Sequence, residues 1–223
     1  MEPGATRTRS ATRNRCDIDI AEVTTPLPSR LQGRIRLHAE TLVNYQAPLD
    51  GQVRHRWVPI APCARVEVEM QRPSLRWSGP AYFDANAGDE PPEAAFHGWD
   101  WSRACHRGGT TVLYHVLPRQ GQVANLALHF TVKGEVTPIA ALPRSPLPHT
   151  PIWRIPRGTR SDLTHPARVI KTLEDTPFYA RSLVRARLEG EDLLAVHESL
   201  SLDRFRQSWV RMLLPFRMPR ARH

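Results

Sequence analysis

The chain predicts an all-β fold, an antiparallel meander closed into a barrel or a sandwich. Three observations predict it. Apolar and polar residues alternate with period two over 65–70, and 111–117 and 123–130 are further strand-like runs. Such stretches recur roughly every 8–12 residues, the spacing of strands in a closed or layered β-fold. Gly/Pro turn signals separate them, as in His106-Arg-Gly-Gly109, at Pro118 to Gly121 and at Lys133-Gly134.

Taken in order, residues 1–16 are polar and arginine-rich and read as a disordered basic tail. Residues 17–23 and 33–38 alternate as half-buried strands around a break at 24–29. A sheet that begins straight after such a tail predicts further sequence upstream. Residues 40–60 are loop-like around a short strand at 55–57, and 65–70, 75–78 and 81–85 follow as strands. In 99–103 the alternation puts Trp99, Trp101 and Arg103 on one face and Asp100 on the other.

Six prolines between 138 and 156 forbid a central strand there. Trp153 favours an extended arm packed over the barrel rather than a free linker. Residues 179–188 and 192–199 form a hairpin about Glu189-Gly190-Glu191. The last element changes period: Leu202, Phe205, Trp209, Met212, Leu213 and Phe216 share one helical face, capped by Ser201 or Asp203 and ended by Pro215.

Composition narrows the function classes. A chain of 223 residues with 40% hydrophobic and 24% charged residues can bury a core without disulfide staples. Cys16, Cys63 and Cys105 form no CxxC pair, which suits a reducing compartment. Residues 1–15 lack the apolar segment of a signal peptide, and no apolar run spans a bilayer. The expected location is cytoplasmic, with peripheral contact at the inner membrane. The net charge of +9 gathers at the two ends of the chain. A nucleic-acid binder wants basic residues along its core, interleaved with stacking aromatics, so nucleic acid is not an expected partner. Basic ends fit an anionic membrane surface or solvated tails. Ten histidines show no HxH or HExxH spacing, so no metal is expected. Without GxGxxG, a P-loop or GxSxG, neither a nucleotide cofactor nor a hydrolase elbow is expected.

What remains is an aromatic and acidic constellation over 76–103 and the strand before it. Tyr82 and Asp84 share one strand face, and so do His55 and Trp57. If both faces line one interior, a carboxyl group walled by aromatic rings gains a raised pKa and holds a proton near neutral pH. Such an acid protonates an isolated alkene, aromatic faces stabilise the tertiary cation, and a histidine orients or deprotonates the water that captures it. Trp77, Trp99 and Trp101 are the expected substrate-binding rings. Each residue has a structural alternative: Trp57 and Tyr82 as core aromatics, Asp84 bonding amides of the turn at Asn86, His55 at the surface between Arg54 and Arg56. Asp89, Glu90 and Glu93 read as loop acids paired with arginines such as Arg103 or Arg107, and as second-choice proton donors.

At these residues the sequence resembles the carotenoid 1,2-hydratase (hydroxyneurosporene synthase) family. The resemblance is carried by Glu22-Val-Thr-Thr-Pro-Leu-Pro-Ser29, His55-Arg-Trp-Val-Pro-Ile-Ala-Pro62, Leu75-Arg-Trp-Ser-Gly79, Tyr82-Phe-Asp-Ala-Asn86, Trp99-Asp-Trp-Ser-Arg103 and His197-Glu-Ser-Leu-Ser-Leu-Asp-Arg-Phe205. It implies cofactor-free addition of water to the terminal C1–C2 double bond of acyclic carotenoids such as neurosporene and lycopene. The implied functional residues are His55, Trp57, Tyr82 and Asp84, with Asp84 the proton donor. The resemblance also implies lipocalin-like β-domains around a ligand cavity, and an N-terminal β-domain segment ahead of residue 17. The resulting expectation is a lipocalin/calycin-like antiparallel barrel with part of a second β-domain and a C-terminal amphipathic helix. Its divisions are a basic tail over 1–16, a remnant β-domain over 17–62, the barrel over 63–200 with its proline-rich arm, and the helix and basic tail over 201–223. A non-enzymatic polyene binder and an inactive fragment are the alternatives.

Overall fold

The alternating stretches all become strands, but they are assembled without closing a ring. The computed structural model describes residues 7–12, 14–24, 27–140 and 142–214, with side chains from residue 14 onward. The expected helix residues Pro215 and Phe216 lie outside the described residues, as do 1–6 and the arginines beyond 216.

The first sheet holds β1 (Arg7–Thr12), β2 (Arg15–Val23), β3 (Arg30–Ala39), β4 (Ala47–Pro48), β5 (His55–Arg72) and β6 (Leu75–Gly88), in the order β1-β2-β3-β5 with β4 and β6 also on β5. Residues 7–12 are therefore paired with β2, although their composition predicts a disordered tail. β5 is one strand of 18 residues where two short ones are expected. Its Pro59 and Pro62 fall where the pairing with β6 shifts register, which is where a strand tolerates a missing N–H. The boundary expected at residue 62 thus falls inside a single strand.

The second sheet follows α1 (Pro92–Ala95). It contains β7 (Phe96–His106), β8 (Gly109–Pro118), β9 (Ala124–Thr131), β10 (Val136–Pro138), β13 (Arg168–Asp175), β14 (Tyr179–Leu188) and β15 (Glu191–Ser201), ordered β10-β9-β8-β7-β15-β14-β13. Within the proline-rich arm, β11 (Arg144–Leu147) and β12 (Arg157–Arg160) pair only with each other.

The expected lipocalin-like closed barrel is not formed. Both sheets are open, and among the described strands β10 and β13 are edges with no partner between them. The cause is local. Closure requires the first and last strands to hydrogen-bond. β10 ends after three residues at Pro138, and the proline-rich run beyond it cannot supply a continuous row of donors. β13 carries two register irregularities of its own. The chain between these edges crosses a face of the sheet instead of bridging its ends.

The second sheet consequently buries both faces in different ways. On one, Trp57 and Cys63 of β5 pack against Val112, Tyr114, Val116, Leu128 and Phe130. On the other, Leu142 and Leu147 of the arm, with Ala167 after it, cover Ala104, Leu113, Val184, Ala186 and Ala195. Alternation along β8 explains the split, with Val112, Tyr114 and Val116 on one side and Leu113 on the other.

The single C-terminal helix is also corrected. Two short helices, α2 (Leu202–Phe205) and α3 (Ser208–Leu213), are separated by Gln207, which is extended at φ −71, ψ 133. Ser201 caps α2 by accepting from Arg204 N. The break changes the phase of the apolar face: Leu202 and Val210 are buried, whereas Trp209 and Met212 are exposed.

Candidate functional site

Alternation on β6 turns Tyr82 and Asp84 inward and leaves Phe83 outside. The same alternation on β5 turns His55 and Trp57 inward. The rings of Tyr114 and Phe130 meet the Trp57 indole edge-on, at centroid distances of 5.7 and 6.2 Å. Its one polar atom, Nε1, donates to Asp84 Oδ2 at 2.7 Å. The Tyr82 hydroxyl donates to the same oxygen at 3.2 Å. Burial pushes the Asp84 carboxyl above its ordinary range, and the two donors, which favour the carboxylate, do not overcome it. Burial and then the adjoining Asp84 charge hold the Tyr82 phenol far above its usual value, so Tyr82 remains a donor.

On β7, Trp99 and Trp101 face this group. The Trp101 ring lies 5.0 Å from Tyr82, and Trp99 lies 6.2 Å from Tyr114. Arg103 sets its guanidinium over the Tyr82 ring at 5.7 Å. Trp101 Nε1 and Arg103 Nη1 are buried donors with no acceptor among the described residues.

His55 is drawn into a different set of contacts. Nδ1 lies 2.9 Å from Asp50 Oδ2 and Nε2 lies 3.1 Å from the Glu90 carbonyl oxygen, with Phe96 against the ring at 4.8 Å. Both nitrogens therefore face acceptors. Asp50 also takes the backbone N–H groups of Gln52, Arg54 and His55. Burial alone would raise the Asp50 carboxyl, but these hydrogen bonds bring it below its ordinary value. Gly88 is required here, since a Cβ on it would stand 2.4 Å from His55 Cδ2.

Trp77 is not brought to this group. It is 49% exposed and pairs across from Val68 near the far end of the β5–β6 hairpin. Seven residues separate it from Asp84, about 23 Å along a strand. The loop acids are paired with arginines other than those expected, Glu90 with Arg54 and Glu93 with Arg211.

Sequence reasoning missed two parts of this neighbourhood. One is Glu198 on β15, directly opposite Trp101 and held by Arg181. The alternation Val196, Glu198, Leu200 was the available signal, but it does not say which strand lies next to β7. The other is the polar layer behind Trp99 and Trp101. Asp100 accepts from Ser199, His197 lies between Ser199 at 3.0 Å and Ser102 at 2.8 Å, and Ser102 meets Thr159 at 2.9 Å. These bonds run in one direction if the imidazole is neutral with its proton on Nε2. Burial, with a smaller contribution from the Arg157 charge, pushes His197 down to about 3, consistent with that tautomer. Burial pushes Asp100 up to about 6.

Comparison with known proteins places the chain in a family. A family model described as carotenoid hydratase CrtC matches residues 4–223. The chain is 56% identical over 204 residues to the acyclic carotenoid 1,2-hydratase of Thiocapsa roseopersicina, covering 92% of this chain and 50% of that protein. It is 47% identical to the protein of the same name from Rubrivivax gelatinosus over 204 residues, 91% of this chain and 50% of the relative. With the Rhodobacter capsulatus protein it shares 36% identity over 197 residues, 87% of this chain and 69% of the relative. The chain thus spans about half the length of the first two relatives.

Proposed function

This chain belongs to the carotenoid hydratase CrtC family, and on that premise we propose that it adds water across the terminal C1–C2 double bond of an acyclic carotenoid. The observation that carries the reading is the Asp84 carboxyl group, half-buried among aromatic rings and held on one oxygen by Trp57 and Tyr82.

Because both donors converge on Oδ2, Oδ1 is the oxygen that carries the proton. The π pair of the alkene takes this proton at C2 and leaves a tertiary cation at C1. The faces of Tyr82 and Trp101 attract that cation, and their apolar surroundings strengthen the attraction. Trp57 and Tyr82 stabilise the carboxylate that remains. Trp99 supports the apolar polyene beside them. His55 is a positioning residue, anchoring the start of β5 against the turns at Asp50 and Glu90. Water is the only co-reactant, since the proton given by Asp84 is recovered when the alcohol forms.

Exposed Ile152, Trp209 and Met212, with Arg154 and Arg206 beside them in the chain, give one end of the second sheet an apolar and basic rim. Trp153 stacks on Trp209 there at 5.9 Å. Such a rim suits peripheral contact with an anionic lipid surface, where a carotenoid would be dissolved. Among the described residues no helix is long and apolar enough to cross a membrane.

Incubation of the chain with lycopene in detergent, followed by chromatography and mass spectrometry, tests the reading. A product heavier by one water, hydroxylated at C1, is expected. Bound but unchanged carotenoid would replace the hydratase reading with that of a polyene binder.

A further inference from the structure

We infer that Glu198 is the base that takes the proton from the attacking water, a role that rests on the hydratase reading above. Hydration through a cation needs two proton transfers, and the group around Asp84 accounts for the first. The π pair forms a C–H bond at C2 as the O–H bond of Asp84 breaks. A water lone pair then forms the C1–O bond. The resulting oxonium ion must lose one proton to yield a neutral alcohol.

The inward side chains already described leave few acceptors for that proton. Both nitrogens of His55 are turned to acceptors, and neither presents a lone pair to the substrate. Tyr82 is a donor, and Arg103 has no acceptor lone pair. Asp84 has just become a carboxylate, but Trp57 and Tyr82 hold one of its oxygens, and the other faces the carbon it has protonated.

Glu198 meets the requirements by position and chemistry. It pairs across from Trp101 in the β15–β7 ladder, so it stands on the sheet face that Trp101 presents to Tyr82. Arg181 binds it through two nitrogens, Nε at 2.9 Å and Nη2 at 2.8 Å, and both contacts fall on Oε1. Arg181 makes no contact with Oε2, the oxygen a water would meet, and the Tyr179 hydroxyl adjoins the same carboxylate as a further donor. Arg181 is itself seated over the Tyr179 ring at 5.7 Å, which holds the carboxylate in register. The side chain is 25% exposed, enough for water to reach it beside the apolar surface. The neighbouring Trp101 N–H, buried without an acceptor, is a donor available to orient that water. Next to Asp84 the charge of Glu198 is felt: after burial, it adds to the forces that keep the Asp84 carboxyl protonated. An oxonium ion is a strong acid, so a carboxylate suffices as its base. The proton then returns from Glu198 to Asp84 through water, and both groups are reset.

The test compares hydration with hydrogen exchange in D2O, using lycopene and the purified chain. Glu198→Gln keeps the shape of the side chain and removes its basicity. The expected result is hydration lowered on the order of 100-fold, while deuterium still enters the C1–C2 end of the recovered carotenoid, because Asp84 still protonates the alkene and takes a proton back. Glu198→Ala with added formate is the second variant, and formate is expected to restore hydration at least 10-fold. Glu198→Gln that hydrates like the unaltered chain would overturn the role, as would hydration and exchange falling together. A folded Glu198→Ala chain insensitive to formate would also overturn it. If the unaltered chain neither hydrates nor exchanges, the hydratase reading fails and the Glu198 role fails with it.

Discussion

The indole N–H of Trp57 donates to Asp84 Oδ2 at 2.7 Å from a ring with no solvent-accessible surface. A core aromatic thus has its single hydrogen bond directed at the carboxyl group that Tyr82 also holds. Replacing it with phenylalanine removes a donor that favours the carboxylate and leaves space beside Tyr114 and Phe130. Trp57→Phe is expected to cost about 2–3 kcal/mol of stability, read from the denaturant midpoint. The Asp84 carboxyl should rise further, so the alkaline limb of the hydration rate moves to higher pH while the maximal rate falls.

Asp84→Asn separates catalysis from folding. A carboxamide has no acidic proton, and hydration should fall by about 10²–10⁴. Stability should not fall with it. A carboxyl whose folded pKa is raised binds its proton more tightly in the folded state, so its contribution to stability is lost as pH rises from the unfolded toward the folded pKa. The asparagine variant lacks that loss and should match or exceed the original chain in thermal midpoint at pH 8.

The layer behind the tryptophans predicts opposing pH effects. His197, pushed down to about 3, stays neutral in the folded chain but charges in the unfolded one below about 6.5. Stability should therefore decline as pH falls from about 6.5 toward 3. Asp100, pushed up to about 6, acts in the other direction between about 4 and 6, where the folded chain holds the extra proton. His197→Gln should flatten the acid decline, and Asp100→Asn should steepen it below pH 6, both measured by urea midpoints at pH 4.5 and 7.

Arg157 ties the arm to the second sheet. Its guanidinium donates to the carbonyls of Pro148 and His149 within the arm, and to Thr172 and Ser182 on β13 and β14 at 3.0 and 2.9 Å. Arg157→Leu leaves one buried acceptor, Ser182, and three part-buried ones short of a donor and should cost about 3 kcal/mol. Limited proteolysis should show faster cleavage within residues 138–156 at a temperature where the sheet remains intact.

Strand alternation was the legible part of this molecule. Val112, Tyr114 and Val116, or Ala180, Ser182 and Val184, repeat with period two, and each run is a strand with that face buried. Tyr82 with Asp84, and His55 with Trp57, were assigned to shared faces on the same ground. Assembly was less legible, because hydrogen bonding between edges leaves no trace in a single strand. The proline-rich arm was recognised, but proline content alone does not say that it lies across a face and leaves β10 and β13 apart. Trp77 and Trp101 look alike in sequence, yet one is exposed opposite Val68 and the other lies against Tyr82. Glu198 was missed because its neighbour in space, Trp101, lies 97 positions earlier in the chain.

The unpaired edges at β10 and β13 have a bearing on selectivity. Among the described strands, neither open sheet encircles a guest or ends in a back wall that counts its carbon atoms. A rod-shaped guest laid along such a face is gripped at its tip, and its remainder is free to extend past the protein. On the hydratase reading, recognition is of the end group rather than the span. Polyenes of unequal length that share the same terminus should compete on nearly equal terms, and a symmetrical one could present its second end after the first has reacted.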